Sequence, residues 1–383
     1  MNAADSFSAS YPEARARFIE AACEAGGALE RIDNPNKGPD GGDLSTDVAW
    51  FGPRTAENVL VLVSGTHGVE GFCGSGAQID WLRRGEAASL PAGVGALLDV
   101  DAEVRFVASG TAANALALAT LAAPHEAVIC HRDAHVATDE TGAPGFFGSG
   151  LGLVTLPGDS GRIDPAALAR VLAEPEVSYR QPPAALSLTN TTEYGALYSE
   201  ADAVALLAAA KERGLKTHLD GARLANAAAA GFPLKRLTGM GFDVAVMGGT
   251  KAGSTPSEAI VLINPDLSRR FDARMKHAGQ LVSKGRYFAA PWIGMLESGA
   301  WLARAAHANA MARKLAALMP FPILHPVESN GVFVEMDEPT LQRLGALGWQ
   351  VYRFLDGSVR FMCSWATTDE AVEALAESLK QVG

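Results

Sequence analysis

The amino-acid sequence predicts an α/β protein with a mostly parallel, doubly wound sheet, followed by a smaller α+β domain. Two observations lead to this fold class. Short apolar runs that end at glycines or polar turns alternate with helical patterns up to about Asn264, and such alternation is typical of parallel sheets. Beyond Asn264 the pattern changes to long helices and then to closely spaced short strands.

The large sheet is predicted from apolar runs that are short enough for strands and bounded by turn residues. They are Val59–Ser64, Val104–Ala108, Ala127–Cys130, Leu153–Leu156, Ala184–Thr189, Lys216–Leu219 and Asp243–Met247. Between them, the alanine-rich stretch Ala112–Ala123 and the segment Ser199–Arg213 have helical patterns. The alternation therefore favours strand–helix units with helices on the faces of the sheet.

The C-terminal part has its own set of predicted elements. Long helices are expected at Leu267–Met275 and Gly294–Leu318. They are followed by antiparallel strands and a closing helix at Gly331–Glu335, Val351–Phe354, Val359–Ser364 and Asp369–Val382. A smaller α+β domain accounts for this order.

Composition and charge exclude several classes of protein. The chain has 383 residues, 48% of them hydrophobic and 20% charged, and its formal net charge is −11. Because nucleic acids and anionic membranes bind clustered cations, and no block of Lys and Arg occurs, we expect neither partner. No apolar run approaches the length of roughly 18 residues that a membrane span needs. The cysteines, without CxxC spacing, favour a reducing cytoplasm; they are Cys23, Cys73, Cys130 and Cys363.

Two charged residues stand where neighbouring predicted strands end. Asp220, in THLDGARLAN, closes one strand, and Lys251, in VAVMGGTKAGS, follows the next within a glycine-rich loop. The carboxyl ends of parallel strands meet at one edge of the sheet, where α/β proteins bind ligands. Arg223 follows Asp220 on the same turn. The alternatives are a surface-loop lysine for Lys251 and a helix N-cap for Asp220.

Three further candidates are a turn, a histidine and an arginine. Ser109, Gly110 and Thr111 close a strand and open a helix, and a helix N-terminus suits a phosphate. His135, in CHRDAHVATDETGAP, follows the next strand, and Arg360 lies in GSVRFMCSW. An arginine fork suits a carboxylate. Helix capping, a packed or solvated histidine and a surface arginine are the structural alternatives.

From about Asp99 onward the chain resembles a low-specificity threonine aldolase of the β-eliminating lyase group. The resemblance is carried by GTAANALALA, LDGARLANA, GGTKAG, AGQLVSK and VRFMCSW. It implies pyridoxal phosphate (PLP) fold-type I architecture, aspartate-aminotransferase-like, with PLP as the cofactor. The implied reaction cleaves β-hydroxy-α-amino acids, threonine-like ones among them, to glycine and an aldehyde. A homodimer or homotetramer is also implied.

The cofactor requires a lysine for its aldehyde, an acid for its pyridinium nitrogen and amide donors for its phosphate. The resemblance gives these roles to Lys251, to Asp220, and to the turn Ser109, Gly110 and Thr111. Arg223 is expected to contact the phosphate or the ring oxygen.

The remaining implied roles concern the cofactor ring and the substrate. The histidine that matches His135 stacks on the cofactor ring in the family and takes part in proton transfer, whereas His131 is expected to be structural. Arg360 matches the arginine that holds the α-carboxylate of the substrate.

Two stretches bear on the subunit interface and on the catalytic base. Lys284 and Arg286, in QLVSKGRYF, are expected to contact the phosphate from a neighbouring subunit. One branch of the family has a histidine near LTNTTEYG, where this chain has Thr192 and Glu193. The identity of the proton acceptor is therefore open.

Residues 1–98 resemble the start of a zinc-carboxypeptidase-like family of unknown function, through VLVLVSGTHGVEGFCGSGAQIDWL. His67 and Glu70 match its His-x-x-Glu zinc pair, but a catalytic zinc needs a third protein ligand. The predicted division is this truncated segment (1–98), a PLP-binding large domain (99–265), and linking helices with a small domain (266–383). Threonine aldolases carry Ser-Asp-Asn and Tyr-Gly-x-Asp elements where this segment stands. The alternative functions are a zinc-dependent hydrolase and a PLP-binding protein without turnover.

Overall fold

The computed structural model describes residues 8, 10–37, 43–51, 79, 82–83 and 102–383. The chain divides into two compact units, Met1–Val94 and Gly95–Gly383. The predicted strand Val59–Ser64 and the pair His67 and Glu70 lie outside the described residues.

The first unit contains a helix and a two-stranded antiparallel sheet. Helix α1 (Tyr11–Glu24) begins after Ser10, whose hydroxyl accepts a hydrogen bond from the Glu13 amide. It is followed by β1 (Ala28–Lys37) and β2 (Asp43–Trp50), which pair with each other. Two hydrogen bonds of 2.7 and 2.9 Å join Arg15 of α1 to the carboxylate of Asp47 in β2, and they fix the helix on this sheet.

A seven-stranded sheet forms the centre of the second unit, in the order β3-β9-β8-β7-β6-β4-β5. Its strands are β3 (Glu103–Val107), β4 (Ala127–His131), β5 (Gly152–Leu156), β6 (Pro183–Thr189), β7 (Lys216–Gly221), β8 (Val244–Gly248) and β9 (Glu258–Leu262). Among the described strands of this sheet, neighbours from β4 to β8 pair in parallel, and β9 alone runs antiparallel to both of its neighbours. The fold class predicted for this unit, a mostly parallel doubly wound sheet, is confirmed.

Helices cover both faces of this sheet and bury separate apolar clusters. Leu186, Leu219 and Trp301 belong to the cluster on one face, and Leu118 and Phe271 to the cluster on the other. The covering helices are α2 (Gly110–Leu121), α3 (His135–Thr138), α4 (Ala143–Phe147), α5 (Pro165–Ala173), α6 (Glu200–Glu212), α7 (Leu224–Ala229), α8 (Leu237–Met240), α9 (Phe271–His277), α10 (Arg286–Glu297) and α11 (Ala300–Leu318). Burial on both faces explains why the strands are short, nearly continuous apolar runs.

Two sequence predictions need correction, and one strand was missed. The helix predicted over Gly294–Leu318 is two helices, α10 and α11, because Gly299 takes a left-handed conformation with φ of 71°, which ends a helix. The helix predicted over Leu267–Met275 begins only at Phe271, because Arg270 has φ of 64°. Strand β9 was not predicted, although its sequence EAIVL is a short apolar run.

The C-terminal part is a three-stranded antiparallel sheet covered by helices, as predicted. Strands β10 (Gly331–Val334), β11 (Tyr352–Arg353) and β12 (Val359–Met362) are ordered β10-β12-β11. Helices α12 (Glu338–Ala346) and α13 (Asp369–Val382) complete it. Within the described ranges, no helix combines the length and the apolar character that crossing a membrane requires.

Candidate active site

The reversal of β9 gathers several loops at one edge of the large sheet. Glu258, the first residue of β9, pairs with Val107 at the end of β3 and with Gly248 at the end of β8. One strand along, Gly221 at the end of β7 pairs with Met247. The carboxyl ends of β3, β7 and β8 therefore meet, and their following residues share the edge where α/β proteins bind ligands.

Lys251 lies in a short turn, Thr250–Ala252, directly after β8. Glu258 holds this turn, because its carboxylate accepts a hydrogen bond of 2.8 Å from the Gly249 amide. The Lys251 amine has no hydrogen-bond or ion-pair partner among the residues that the structure describes. Lys251 lines a cavity of about 170 Å³ together with Arg223 and Arg304.

The surroundings of Lys251 favour its uncharged amine. Lys251 is exposed to solvent, yet the positive charge of Arg223 is the largest cause that lowers its pKa to about 8, and partial loss of hydration acts in the same direction. The carboxylates of Asp220 and Glu258 oppose this change. Lysine amines activated in this way attack aldehydes and other carbonyl groups.

Asp220 is a buried carboxylate in β7, with 1% of its surface exposed. Its two oxygens accept hydrogen bonds of 2.9 Å from the Asn114 side chain and 3.0 Å from the Ala222 amide. It does not cap helix α7, because the N-cap residue there is Arg223. Asp220 is thus held in place on one side by a helix and on the other by its own turn.

His135 connects to Asp220 through two buried side chains. Its Nδ1 atom lies 3.0 Å from Glu140 Oε1, and the same oxygen accepts a hydrogen bond of 2.8 Å from Asn114. The hydrogen bond to Glu140 raises the pKa of His135. Burial raises the pKa of Glu140. Asn114 therefore ties the histidine and the aspartate into one network.

Glu193 lies in the loop after β6 and faces the same network. Its Oε1 atom accepts a hydrogen bond of 2.9 Å from the His135 amide, whereas Oε2 is buried without a hydrogen-bond partner. Burial, aided by the charge of Asp220, raises the pKa of Glu193 to about 7. Its neighbour Thr192 is structural, because its hydroxyl donates to the Ser160 carbonyl at 2.7 Å.

Arg360 lies on β12, between two aromatic rings. Its guanidinium carbon is 4.9 Å from the Tyr352 ring centre and 4.8 Å from that of Phe354, and Nη2 donates to the Tyr352 hydroxyl. Its Nε atom is buried without a partner. Burial lowers the pKa of Arg223, and the charge of Arg360 acts in the same direction. The two arginines thus form a positive region that an anion would neutralise.

The turn Ser109–Gly110–Thr111 opens helix α2. The Ser109 hydroxyl caps the helix by accepting a hydrogen bond of 3.2 Å from the Ala112 amide. A methyl group added at Gly110 would meet nothing within 4 Å. Open space therefore lies in front of Gly110 at the helix N-terminus, a position that suits a phosphate.

The structure also places the remaining candidates. His131 is buried, with Nε2 3.1 Å from the Gly158 carbonyl and Nδ1 accepting from the Asp133 amide. Lys284 and Arg286 are exposed, and their contact across a subunit interface stays a prediction. Within the described part of the chain, no group of three or more His, Cys, Asp or Glu side chains is arranged to hold a metal ion.

Sequence reasoning missed three residues that build the site: Asn114, Glu140 and Glu258. Asn114 carries a usable signal, since it is the single polar side chain among the Ala and Leu residues of Ala112–Ala119. Glu140 and Glu258 have no such signal, because their partners are distant backbone or side-chain groups that only the folded sheet brings near.

The fold and the arrangement at this edge define a PLP fold-type I protein. The chain belongs to the beta-eliminating lyase family, whose sequence model matches residues 84–339. Residues 7–102 match a second family, described as a protein of unknown function (DUF2817).

Known relatives agree with this assignment. A low-specificity L-threonine aldolase from a Pseudomonas species is 43% identical over 293 residues, covering 75% of this chain and 85% of the relative. The threonine aldolase of Leishmania major superposes with a TM-score of 0.71 at 30% identity, covering 76% of this chain and 87% of that one. A lysine-to-alanine variant of a serine palmitoyltransferase from S. paucimobilis, with a bound PLP–myriocin aldimine, has a TM-score of 0.55 at 16% identity, covering 76% of this chain and 74% of that one; it shows the fold alone.

Proposed function

We propose that this protein is a PLP-dependent aldehyde-lyase that cleaves threonine-like β-hydroxy-α-amino acids to glycine and an aldehyde. The observation that carries the proposal is the meeting of Lys251, the buried Asp220 and the N-terminus of α2 at one edge of the sheet. The similarity to low-specificity L-threonine aldolases at 43% identity supports the same reaction.

The residues at this edge fit PLP. The cofactor needs a lysine amine, an acid beside its pyridinium nitrogen and donors for its phosphate. Lys251 supplies an amine without a competing partner, Asp220 a buried carboxylate, and the open space before Gly110 a phosphate position. When bound, PLP serves as a sink for the electron pair that the broken Cα–Cβ bond leaves.

On the cofactor side, Lys251 would hold the cofactor through its aldehyde carbon. Its lowered pKa keeps a useful fraction of the amine uncharged near neutral pH. Asp220, fixed by Asn114 and the Ala222 amide, would keep the ring nitrogen protonated. We assign Arg223 to the phosphate or the ring oxygen, and His135 to the face of the ring.

On the substrate side, we assign Arg360 to the α-carboxylate. Its buried Nε atom has no partner in the protein, so a carboxylate oxygen would satisfy it. We assign the proton of the β-hydroxyl group to Glu193 Oε2, which is also without a partner. A carboxyl group with a pKa of about 7 is suited to a general base near neutral pH.

The proposal includes the assembly, the location and the division of the chain. We propose a homodimer or homotetramer in the cytoplasm, in which Lys284 and Arg286 reach the phosphate of a neighbouring subunit. The three described cysteines, Cys23, Cys130 and Cys363, are free thiols, which supports a reducing location. We keep 1–98, 99–265 and 266–383 as the proposed division. Light scattering on the purified protein tests the assembly.

The absorbance spectrum after addition of PLP tests the cofactor and its lysine. We expect a visible band in the wild type that is lost in Lys251→Ala and retained in Lys235→Ala, an exposed lysine in the turn Leu234–Arg236. Acetaldehyde release from L-threonine then tests the reaction. A band without acetaldehyde would leave a PLP-binding protein without this turnover, and no band in the wild type would contradict the cofactor assignment.

A further inference from the structure

His325 joins the large sheet to the hairpin that carries Arg360. Its Nδ1 atom lies 3.0 Å from the Ser160 hydroxyl, in the turn after β5, and Nε2 lies 2.7 Å from Asp356 Oδ2, at the tip of the β11–β12 hairpin. Only 13% of the His325 side chain is exposed. With Nε2–H donating to the carboxylate, Nδ1 accepts from the serine, so one neutral tautomer satisfies both contacts.

The segment around His325 is docked on the loop that contains Glu193. Glu328 accepts a hydrogen bond of 2.6 Å from the Leu197 amide, and Ser329 donates to the Gly195 carbonyl at 2.9 Å. The Leu197 amide and the Gly195 carbonyl lie four and two residues after Glu193 in the sequence. The loop and the segment are therefore held as one piece.

Ring contacts continue from this piece to Arg360. The His325 ring lies 4.3 Å from that of Tyr194, the residue after Glu193. Tyr194 meets Phe354 edge to face at 5.3 Å, and Phe354 carries the Arg360 guanidinium at 4.8 Å. An unbroken series of contacts thus connects the proposed general base with the proposed carboxylate-binding arginine.

We propose that His325 is a positioning residue that fixes Arg360 relative to Glu193 and Lys251. The inference rests on the proposed function, because it gives Arg360 the substrate carboxylate. On one side, His325 holds the hairpin through Asp356 and is itself held by Ser160 and by the Tyr194 ring. On the other side, the pairing of β12 with β10 in the small domain holds the hairpin. Without His325, the hairpin loses its polar anchor to the large sheet, and Arg360 loses its fixed distance to the reacting atoms.

Ser160, His325 and Asp356 also have the group order of a hydrolytic triad. The positioning role is favoured for two reasons. The rings of Tyr194 and Phe333 pack on His325, and the contacts of His325 connect through Tyr194 and Asp356 to the loop of Glu193 and the hairpin of Arg360. Covalent labelling of Ser160 by phenylmethylsulfonyl fluoride, lost in Ser160→Ala, would overturn this choice.

The test compares two amines in the PLP-loaded protein, followed by the change in the visible spectrum. Glycine has a carboxylate for Arg360, and ethanolamine has none. For His325→Ala we expect roughly 10-fold weaker glycine binding, since small misplacement of a binding group has effects of this size or larger, and unchanged binding of ethanolamine. His125→Ala is the matched control, because His125 is exposed at the opposite end of β4.

Two further variants separate positioning from general damage. His325→Gln retains a donor for Asp356 and an acceptor for Ser160, so it is expected to restore part of the glycine binding. In Arg360→Lys, replacement of His325 should have almost no additional effect, because the group that it positions is already altered. If His325→Ala does not fold, the binding of glycine and ethanolamine is compared in Ser160→Ala instead.

The outcomes distinguish this inference from the proposed function. If the wild type shows no visible band or releases no acetaldehyde, the proposed function fails. The positioning role is wrong if the wild type is active but His325→Ala and Ser160→Ala bind glycine and ethanolamine with equally reduced affinity. It is also wrong if the effects of the His325 and Arg360 substitutions on glycine binding are additive. A selective loss of glycine binding that disappears in the Arg360→Lys background supports it.

Discussion

The two sides of the candidate active site are built in different ways. On the sheet side, Asp220, Asn114 and Glu140 are buried and joined by hydrogen bonds of 2.8 and 2.9 Å. On the hairpin side, Arg360 is half-buried, and aromatic rings rather than carboxylates hold it. The sheet side is therefore rigid before any ligand binds. On the hairpin side, no carboxylate of the described residues pairs with Arg360, so its guanidinium is available to a ligand.

The largest effect is expected from disturbing the rigid side. In Asp220→Asn, the neutral amide no longer stabilises a protonated ring nitrogen, so kcat for L-threonine should fall roughly 10²- to 10³-fold, as for other groups that stabilise charge in a reaction. Steady-state kinetics on the PLP-saturated protein measures this. The control Asp266→Asn, at an exposed turn, should leave kcat unchanged. An equal fall of kcat in both variants would contradict the assignment of Asp220.

The hairpin side should respond in substrate binding rather than in the chemical step. Arg360→Lys retains the charge but loses the planar fork, so KM for L-threonine should rise about 30-fold or more, in the range seen when a buried charge pair loses one partner. The visible band of the PLP-loaded variant should be unchanged, because Arg360 does not touch the sheet-side network. If the band is lost instead, the separation of the two sides is wrong.

Glu193 lies between the two sides, and the pH dependence of the reaction rate reports its titration. Because its folded pKa is raised to about 7, the ionised base is lost as the pH falls below that value. The rate of acetaldehyde release at saturating PLP and threonine should therefore fall about 10-fold for each pH unit below the pKa. Glu193→Gln should be slower at all pH values and should lack this limb; an unchanged limb would assign it to another group, such as His135.

The smallest effect is expected at the cap of α2, on the sheet side. Ser109→Ala removes the hydrogen bond to the Ala112 amide and should lower the free energy of unfolding by about 1 kcal/mol. Urea denaturation of the apoprotein measures this. Ser109→Thr retains the capping oxygen and serves as the control; equal losses in the two variants would mean that the cap contributes little.

The sequence alone predicts the sheet side better than the hairpin side. Buried parallel strands are continuous apolar runs, so the positions of Asp220 and Lys251 at strand ends follow from counting along the chain. The bonds of Asn114 to Glu140 and Asp220 do not follow, because they depend on how α2 packs on the sheet.

On the hairpin side, β11 has only two residues, both exposed, so periodicity carries little information there. Arg360 was found through a resemblance, but its Tyr352 and Phe354 neighbours and the His325 contact were not. The break between α10 and α11 was missed because the apolar pattern continues across it and only the conformation of Gly299 interrupts the helix.

The antiparallel strand β9 has a consequence for how the protein is made. Among the strands that the structure describes, β3 lies at the end of the large sheet and pairs with β9 alone. During synthesis, β3 leaves the ribosome before any other strand of this sheet, and its partner leaves after all the other strands. The pairing of β3 with β9 therefore forms late, since pairing over such a separation in sequence is slow. A nascent chain stalled before Glu258 should bind PLP poorly, and competence should arise when β9 has emerged.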